Sequence, residues 1–256
     1  MNFSAGIIFP GLLLSNNMFE RYGHFLFKWR NYLFPIILIT LFLIFPPTVF
    51  KNDLYNTIII VTGILVVITG QVVRAAVIGL VYIKRGGVDK KIYADTLVTD
   101  GIFKHCRNPL YVGNLLIIAG FLILHSNPWV YLIGGLFFLI SYQAIVTAEE
   151  TFLSGKFGSE FEEYCRHTGR WFINPIGLSA TMQSMQFNWR RVLAKDYSTM
   201  ATWMIVVLFL MILKHVRQYG FNNSEFLVAT LVIFAAIAIF AVSVRVSKKT
   251  GKLKHS

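Results

Sequence analysis

Charge is scarce in this chain. Only 14% of its 256 residues are Asp, Glu, Lys or Arg, whereas 55% are hydrophobic. That balance excludes an ordinary soluble domain. Acid is scarcest: 12 Asp and Glu stand against 24 Lys and Arg, a net charge of +12. An excess of this sign suits nucleic acid or a membrane surface. The basic residues flank apolar runs and form no basic domain of their own, which selects the membrane over nucleic acid. Cysteine is limited to Cys106 and Cys165, both in polar segments read as cytosolic, where a disulfide is not expected. Metal-ligand spacing is missing too: His105 and Cys106 are adjacent and lack a second Cys/His pair. No Walker loop or dinucleotide fingerprint follows a strand. No cleavable signal is expected, because the first apolar run, 5–14, has no basic region before it. That run is too short to span and reads as interfacial or re-entrant.

What is abundant is apolar sequence in long runs. A hydrocarbon core of about 30 Å needs about 20 such residues in a helix. Six segments meet or approach that length: roughly 32–50, 55–80, 110–126, 128–147, 198–216 and 225–244. Pro46 and Pro47 should kink or end the first. The third and fourth are parted only by HSNP (125–128), which predicts a tight antiparallel hairpin with Pro128 in the first turn of its second helix. Arg74 lies inside the second run, and only Lys51, Lys214 and Arg217 fall on one side of the implied membrane. The other Lys and Arg lie in the N-terminal stretch, 84–109, 148–197 and the tail. By the positive-inside rule both termini are cytosolic. The expected fold is an all-α polytopic membrane protein of about six spans. Its parts are 1–69 (an interfacial segment and the first spans), 70–175 (the core) and 176–256 (a linker, two further spans and a basic tail).

This topology makes one spatial prediction. The start of the third span and the end of the fourth are cytosolic ends of adjacent antiparallel helices, so residues near Tyr111 and Glu149 must meet. The first motif is DTLVTDGIFKHCRNPLYVG (95–113). The residue before a proline is pushed out of the helical region, so a helix should start at Pro109 with Asn108 as its N-cap. Its first-turn N–H groups favour an anion. Gly113 permits close approach of a ligand or a helix. The second motif is AEETFLSGKFGSEFEEYCRHTGRW (148–171). Glu149 and Glu150 lie at a depth where charges usually have partners. Beside the helix start they make a site of both signs, suited to a ligand with an amino group, a carboxylate and a further positive centre. Simpler roles compete. The two glutamates would pair with Arg107 or Arg166, Arg107 would be a positive-inside anchor, and His105 and Tyr111 would be interfacial. Arg74 would snorkel, and His125 would be a turn residue on the far side.

TLVTDGIFKHCRNPLYVGN, followed by AEE and then FGSEFEEYCRHTGRW, resembles the isoprenylcysteine carboxyl methyltransferase family and the related membrane phospholipid methyltransferases, over about 70–175. The resemblance implies an integral-membrane enzyme using S-adenosyl-L-methionine, held in a cytosolic-face pocket closed by loops around the hairpin. A lipid or lipidated substrate would enter from the bilayer. Carried across, Asp95, Thr96, Leu97 and Val98 match a cofactor-contacting stretch, and Phe103 matches an aromatic near the adenosine. Asn108, Pro109, Leu110 and Tyr111 match the family's His-Pro-x-Tyr. Glu149 matches a cofactor-contacting glutamate. Asn replaces the family histidine at 108. Ile145 stands where the prenylcysteine enzymes carry an arginine for the substrate carboxylate. Glu150 and His105 are the candidate catalytic bases, and Arg107 and Arg74 the candidate substrate-binding cations. No metal is implied. The sequence leaves open an NADPH-dependent sterol-type reductase, with Lys90, Lys91 or Arg107 on a 2′-phosphate, and a non-enzymatic protein of the same shape.

Overall fold

The computed structural model describes residues 10–80, 85–88, 91–221 and 223–253. Among them the protein is helical apart from one small ribbon. The first helix, α1, runs from Pro10 to Ile44 without a break. Residues 10–14 of the expected interfacial run therefore belong to the first long helix, while 1–9 lie outside the described residues. The helix ends before Pro46–Pro47, as a pair of rings without N–H donors requires. The second helix, α2, spans Asp53–Leu80. Strands β1 (Arg85–Val88) and β2 (Lys91–Ala94) pair antiparallel, with Arg85 opposite Ala94 and Val88 opposite Lys91. A 3-10 turn at Gly101–Lys104 leads into α3, Pro109–His125, and α4 follows at Pro128–Phe157. Then come α5 (Ser159–His167), α6 (Leu178–Gln183), α7 (Trp189–Tyr219) and α8 (Ser224–Lys249).

Among the described residues five helical stretches are long and apolar enough to cross a membrane: Met18–Ile44, Asp53–Leu80, Pro128–Phe157, Trp189–Tyr219 and Ser224–Lys249. The remaining expected segment is the shorter, 17-residue apolar helix α3. At 1.5 Å per residue α3 is about 25 Å long. It begins at the residue where proline allows a helix to begin and stops at Ser126, which turns left-handed with φ 64°. The fourth expected span is extended instead: α4 continues ten residues past 147, so Glu149 and Glu150 sit inside the helix rather than at its end.

α2 lies along α3 and α1 along α4. The α2–α3 contact depends on glycine. A Cβ on Gly113 would stand 2.6 Å from Arg74 Cγ and 2.8 Å from Gly70 O, so the backbones touch where side chains would otherwise part them. Of the ligand or helix that Gly113 could admit, it is the helix that approaches. The core contains Phe34, Phe42, Phe138, Tyr142 and Ile145. Ile145 is fully buried there. The α3–α4 turn is held from three sides. Thr48 N–H donates to His125 O at 3.1 Å, Asn127 Nδ2 donates to Pro46 O at 2.9 Å, and Lys214 Nζ donates to Leu124 O at 3.0 Å. His125, expected as a turn residue, ends α3 at this turn, fully buried and stacked on Phe42 at 4.7 Å.

Candidate functional site

Two turns decide what gathers at the α3–α4 mouth. Pro109 fixes the start of α3, so Tyr111 occupies its first turn. The antiparallel return of α4 brings Glu149 alongside. The Tyr111 hydroxyl donates to Glu149 Oε1 at 2.5 Å, and both residues are buried. A third partner comes from α1. Arg30 Nη1 donates to the Tyr111 oxygen at 2.8 Å, with its guanidinium carbon 4.3 Å from the centre of the Phe27 ring. Tyr142 stands 5.5 Å from Tyr111, ring to ring.

Glu150, one residue on, is held by a different set. Arg170 Nε donates to its Oε2 at 2.9 Å, Asn108 Nδ2 to its Oε1 at 3.3 Å, and Arg107 Nε lies 3.6 Å from Oε1. The expected pairing with Arg107 is found, whereas Arg166 pairs with Glu163. Asn108 holds the N-cap position of α3 but makes no side-chain cap. Its amide is turned instead to Glu150 and to Arg170 O, at 3.2 Å.

The chain after α5 lies across this mouth as a strap. Arg107 N–H donates to Gly169 O and Asn174 N–H to His105 O, each at 2.9 Å. His105 is buried, its Nδ1 2.9 Å from Asn174 O and its Nε2 2.9 Å from Thr181 Oγ1. It latches the strap and does not share a hydrogen bond with Glu149 or Glu150. Trp171 Nε1 donates to Gln143 Oε1 at 3.0 Å, tying the strap to α4. Two large apolar side chains of the strap, Phe172 and Ile176, are 89% and 81% exposed.

The remaining sequence candidates divide between neighbouring places. Val98, Phe103 and Leu110 share one small apolar cluster with Val77 and Leu80. Leu97 joins another with Ala94 and Leu153. Pro109 is buried as the first residue of α3. Asp95 and Thr96 are exposed beyond the ribbon, where Asp95 accepts a hydrogen bond from Tyr93 that raises the Tyr93 phenol above its ordinary value. Burial likewise pushes the Cys106 thiol up, opposed by the Asn108 backbone and by Arg107. Arg74 neither snorkels nor joins Tyr111. It pairs with the fully buried Asp196 of α7 and also donates to Asn114. Gln71 Nε2 donates to the same Asp196 at 2.8 Å and accepts from Trp203 Nε1 at 2.9 Å. Lys90 and the side chain of Lys91, two of the three cations of the reductase reading, lie outside the described residues. The third, Arg107, is engaged with Glu150 and Cys165.

Arg30, Arg170 and Asp196 were not among the candidates. Arg30 and Arg170 look like two more positive-inside residues. Asp196 carried a signal: it is one of few acids in the chain and sits where an apolar helix begins.

An open cavity of about 490 Å³ is lined by Pro175, Leu178, Ser179, Met182 and Gln183, on the strap. A smaller one, about 70 Å³, lies at the α7–α8 turn around His215 and Phe226. Neither is lined by Tyr111 or Glu149, whose polar groups are satisfied by each other and by Arg30.

Residues 58–160 match the family model described as phospholipid methyltransferase. The resemblance read from the sequence therefore holds over most of α2 and all of α3 and α4, including Tyr111, Glu149 and Glu150. Among curated proteins the chain is 41% identical over 78 residues to the cobalt-zinc-cadmium resistance protein CzcN of Cupriavidus metallidurans, covering 30% of this chain and 36% of that protein. It is 37% identical over 76 residues to the nickel-cobalt-cadmium resistance protein NccN of Alcaligenes xylosoxydans xylosoxydans, covering 30% and 35%. The aligned stretch thus spans about a third of each relative's length. No solved structure matches the chain.

Proposed function

We propose that this protein is an integral-membrane methyltransferase that uses S-adenosyl-L-methionine and acts on a lipid or lipidated substrate entering from the bilayer. In this reading both termini and the site face the cytosol, and residues 70–175 form the core. The observation that carries it is the Tyr111–Glu149 contact at the mouth of the α3–α4 pair, inside the stretch that matches the family.

The donor set suits the cofactor. Glu149 offers a buried carboxylate to a positive group, and Tyr111 offers a hydroxyl whose direction Arg30 fixes. Phe103, Val98 and Leu110 would receive the adenosine, with Leu97 beside them and Asp95 and Thr96 at the rim. Asn108 and Pro109 shape the start of α3. When bound, the cofactor supplies an activated methyl group. The protein's part is to align acceptor and donor and to exclude water. Orientation of this kind is worth about 7–11 kcal/mol in favourable cases.

Glu150 and His105 are committed elsewhere: Glu150 to Arg170, Arg107 and Asn108, and His105 to Asn174 and Thr181. To act as bases they would have to leave those partners. An acceptor oxygen that is already ionised, a carboxylate or phosphate, asks for no base; Arg107 would meet its charge by turning from Glu150, whereas Arg74 would first have to leave Asp196. The relatives are named for metal resistance. Among the described residues no group of three or more His, Cys, Asp or Glu is placed to hold a metal ion, so metal binding is not proposed from those names.

Calorimetry on the purified protein with S-adenosylhomocysteine and with NADPH tests the reading. Binding of the first and not the second is expected, and loss of that binding in both Tyr111→Ala and Glu149→Ala. Unchanged affinity in the two variants would refute the site. NADPH binding alone would select the reductase.

A further inference from the structure

Arg30 is a cation enclosed by groups that attract cations. Its guanidinium lies 4.3 Å from the Phe27 ring centre and 5.6 Å from that of Tyr111. Tyr142 and Glu149 are within electrostatic reach. Aromatic faces and a carboxylate around one positive centre form a seat that is selective for charge and tolerant of shape. A guanidinium fits it, and so would a sulfonium or an ammonium. Arg30 is itself half-buried, beside the exposed Lys28 and Trp29, so its long stem leaves room for the head to withdraw to the surface. It lies outside residues 58–160, so the family match does not account for it.

We infer that Phe27, Tyr111, Tyr142 and Glu149 form a seat for the cationic centre of the bound ligand, and that Arg30 competes with the ligand for it. The inference rests on the cofactor reading above. Its physical basis is that two cations close to one buried carboxylate repel each other. Arg30 must move when a positive ligand group arrives and can stay when that group is neutral. Ligand charge is therefore sensed through Arg30, and the reaction, which turns a sulfonium into a neutral thioether, would return Arg30 to its place and favour product release.

The test compares two probes on the full chain by calorimetry: S-adenosylhomocysteine, whose sulfur is neutral, and sinefungin, which carries an amine at the corresponding position. In Arg30→Gln the preference for sinefungin over S-adenosylhomocysteine should rise about tenfold, an ordinary size for coupling between linked groups. In Arg30→Lys, which keeps the charge, the preference should match the wild type. A merely structural role would weaken both probes together and leave their ratio alone, and that result overturns the inference. Should Arg30→Gln not fold, Arg30→Met keeps the apolar stem and is read in the same way. In the wild type itself, the guanidinium NMR signal of Arg30, assigned through Arg30→Lys, should shift on adding sinefungin; a signal that stays fixed at saturation overturns the inference as well. If the wild type binds neither probe, the cofactor reading falls and takes this with it. If it binds both and the ratio does not move, only the seat is lost.

Discussion

The hydroxyl of Tyr111 and the carboxylate of Glu149 lie 2.5 Å apart although 38 residues separate them in the chain. The contact joins the first turn of α3 to the last third of α4, and each partner satisfies the other in a buried place. A hydrogen bond to a charged group contributes about 1.5–3 kcal/mol. Tyr111→Phe and Glu149→Gln should each weaken S-adenosylhomocysteine binding about tenfold or more. The double variant should lose less than the sum, because the two act as a unit. Additive losses in calorimetry would separate the residues.

A second prediction concerns Asp196. It is fully buried and balances Arg74 across the α2–α7 contact. Removing one partner of a buried pair costs about 3–5 kcal/mol, because the other charge is left uncompensated. Asp196→Ala should lower the melting temperature in detergent sharply, and Arg74→Met combined with Asp196→Leu should recover much of the loss. A melting temperature unchanged in Asp196→Ala would show the pair to be idle.

The glycine contact gives a third. Gly113→Ala places a methyl group against Arg74 Cγ and Gly70 O, and overpacking of this kind costs about 1–3 kcal/mol. Gly135, in α4, has nothing within 4 Å of its would-be Cβ. Gly135→Ala should be neutral or stabilising by up to about 1 kcal/mol through helix propensity. Thermal melts of the two variants side by side check the contrast.

The fourth is a matter of pH. Cys106 is fully buried, and burial raises its thiol above the ordinary value. The folded protein thus holds this proton more tightly than the unfolded chain. The stability it contributes is complete below the ordinary thiol pKa of about 8.5 and is lost as pH rises through the raised value. Near pH 8, maleimide should label Cys165 well before Cys106, and mass spectrometry of the labelled peptides reads the order. Equal labelling would contradict the burial.

Much of this arrangement was legible in the sequence, for a simple reason. An apolar run of about 20 residues is a direct statement about a helix in hydrocarbon, and HSNP between two such runs forces their far ends together. From that alone Tyr111 and Glu149 had to be neighbours. The extension of α4 to Phe157 was hidden because hydropathy marks where a helix leaves the lipid, not where it stops; TAEETFLSGKF is polar yet rich in residues that favour helix. The β1–β2 ribbon was hidden because RGGV has no alternation of apolar and polar positions. Arg30, Arg170 and Asp196 were hidden for a deeper reason. Which residue of one helix meets which of another depends on how the helices are rotated, and a single sequence carries little record of that.

The stretch that matches the family model ends at residue 160, yet the counter-charge of Arg74 is supplied from residue 196. Likeness and cooperativity therefore draw different borders through this molecule. Excised as a fragment, the matched part would keep the neutral Asn114 amide beside the Arg74 guanidinium but lose its carboxylate, left behind on a helix that no longer accompanies it. α7 is thus no detachable appendage, because Arg74 depends on it for its counter-charge.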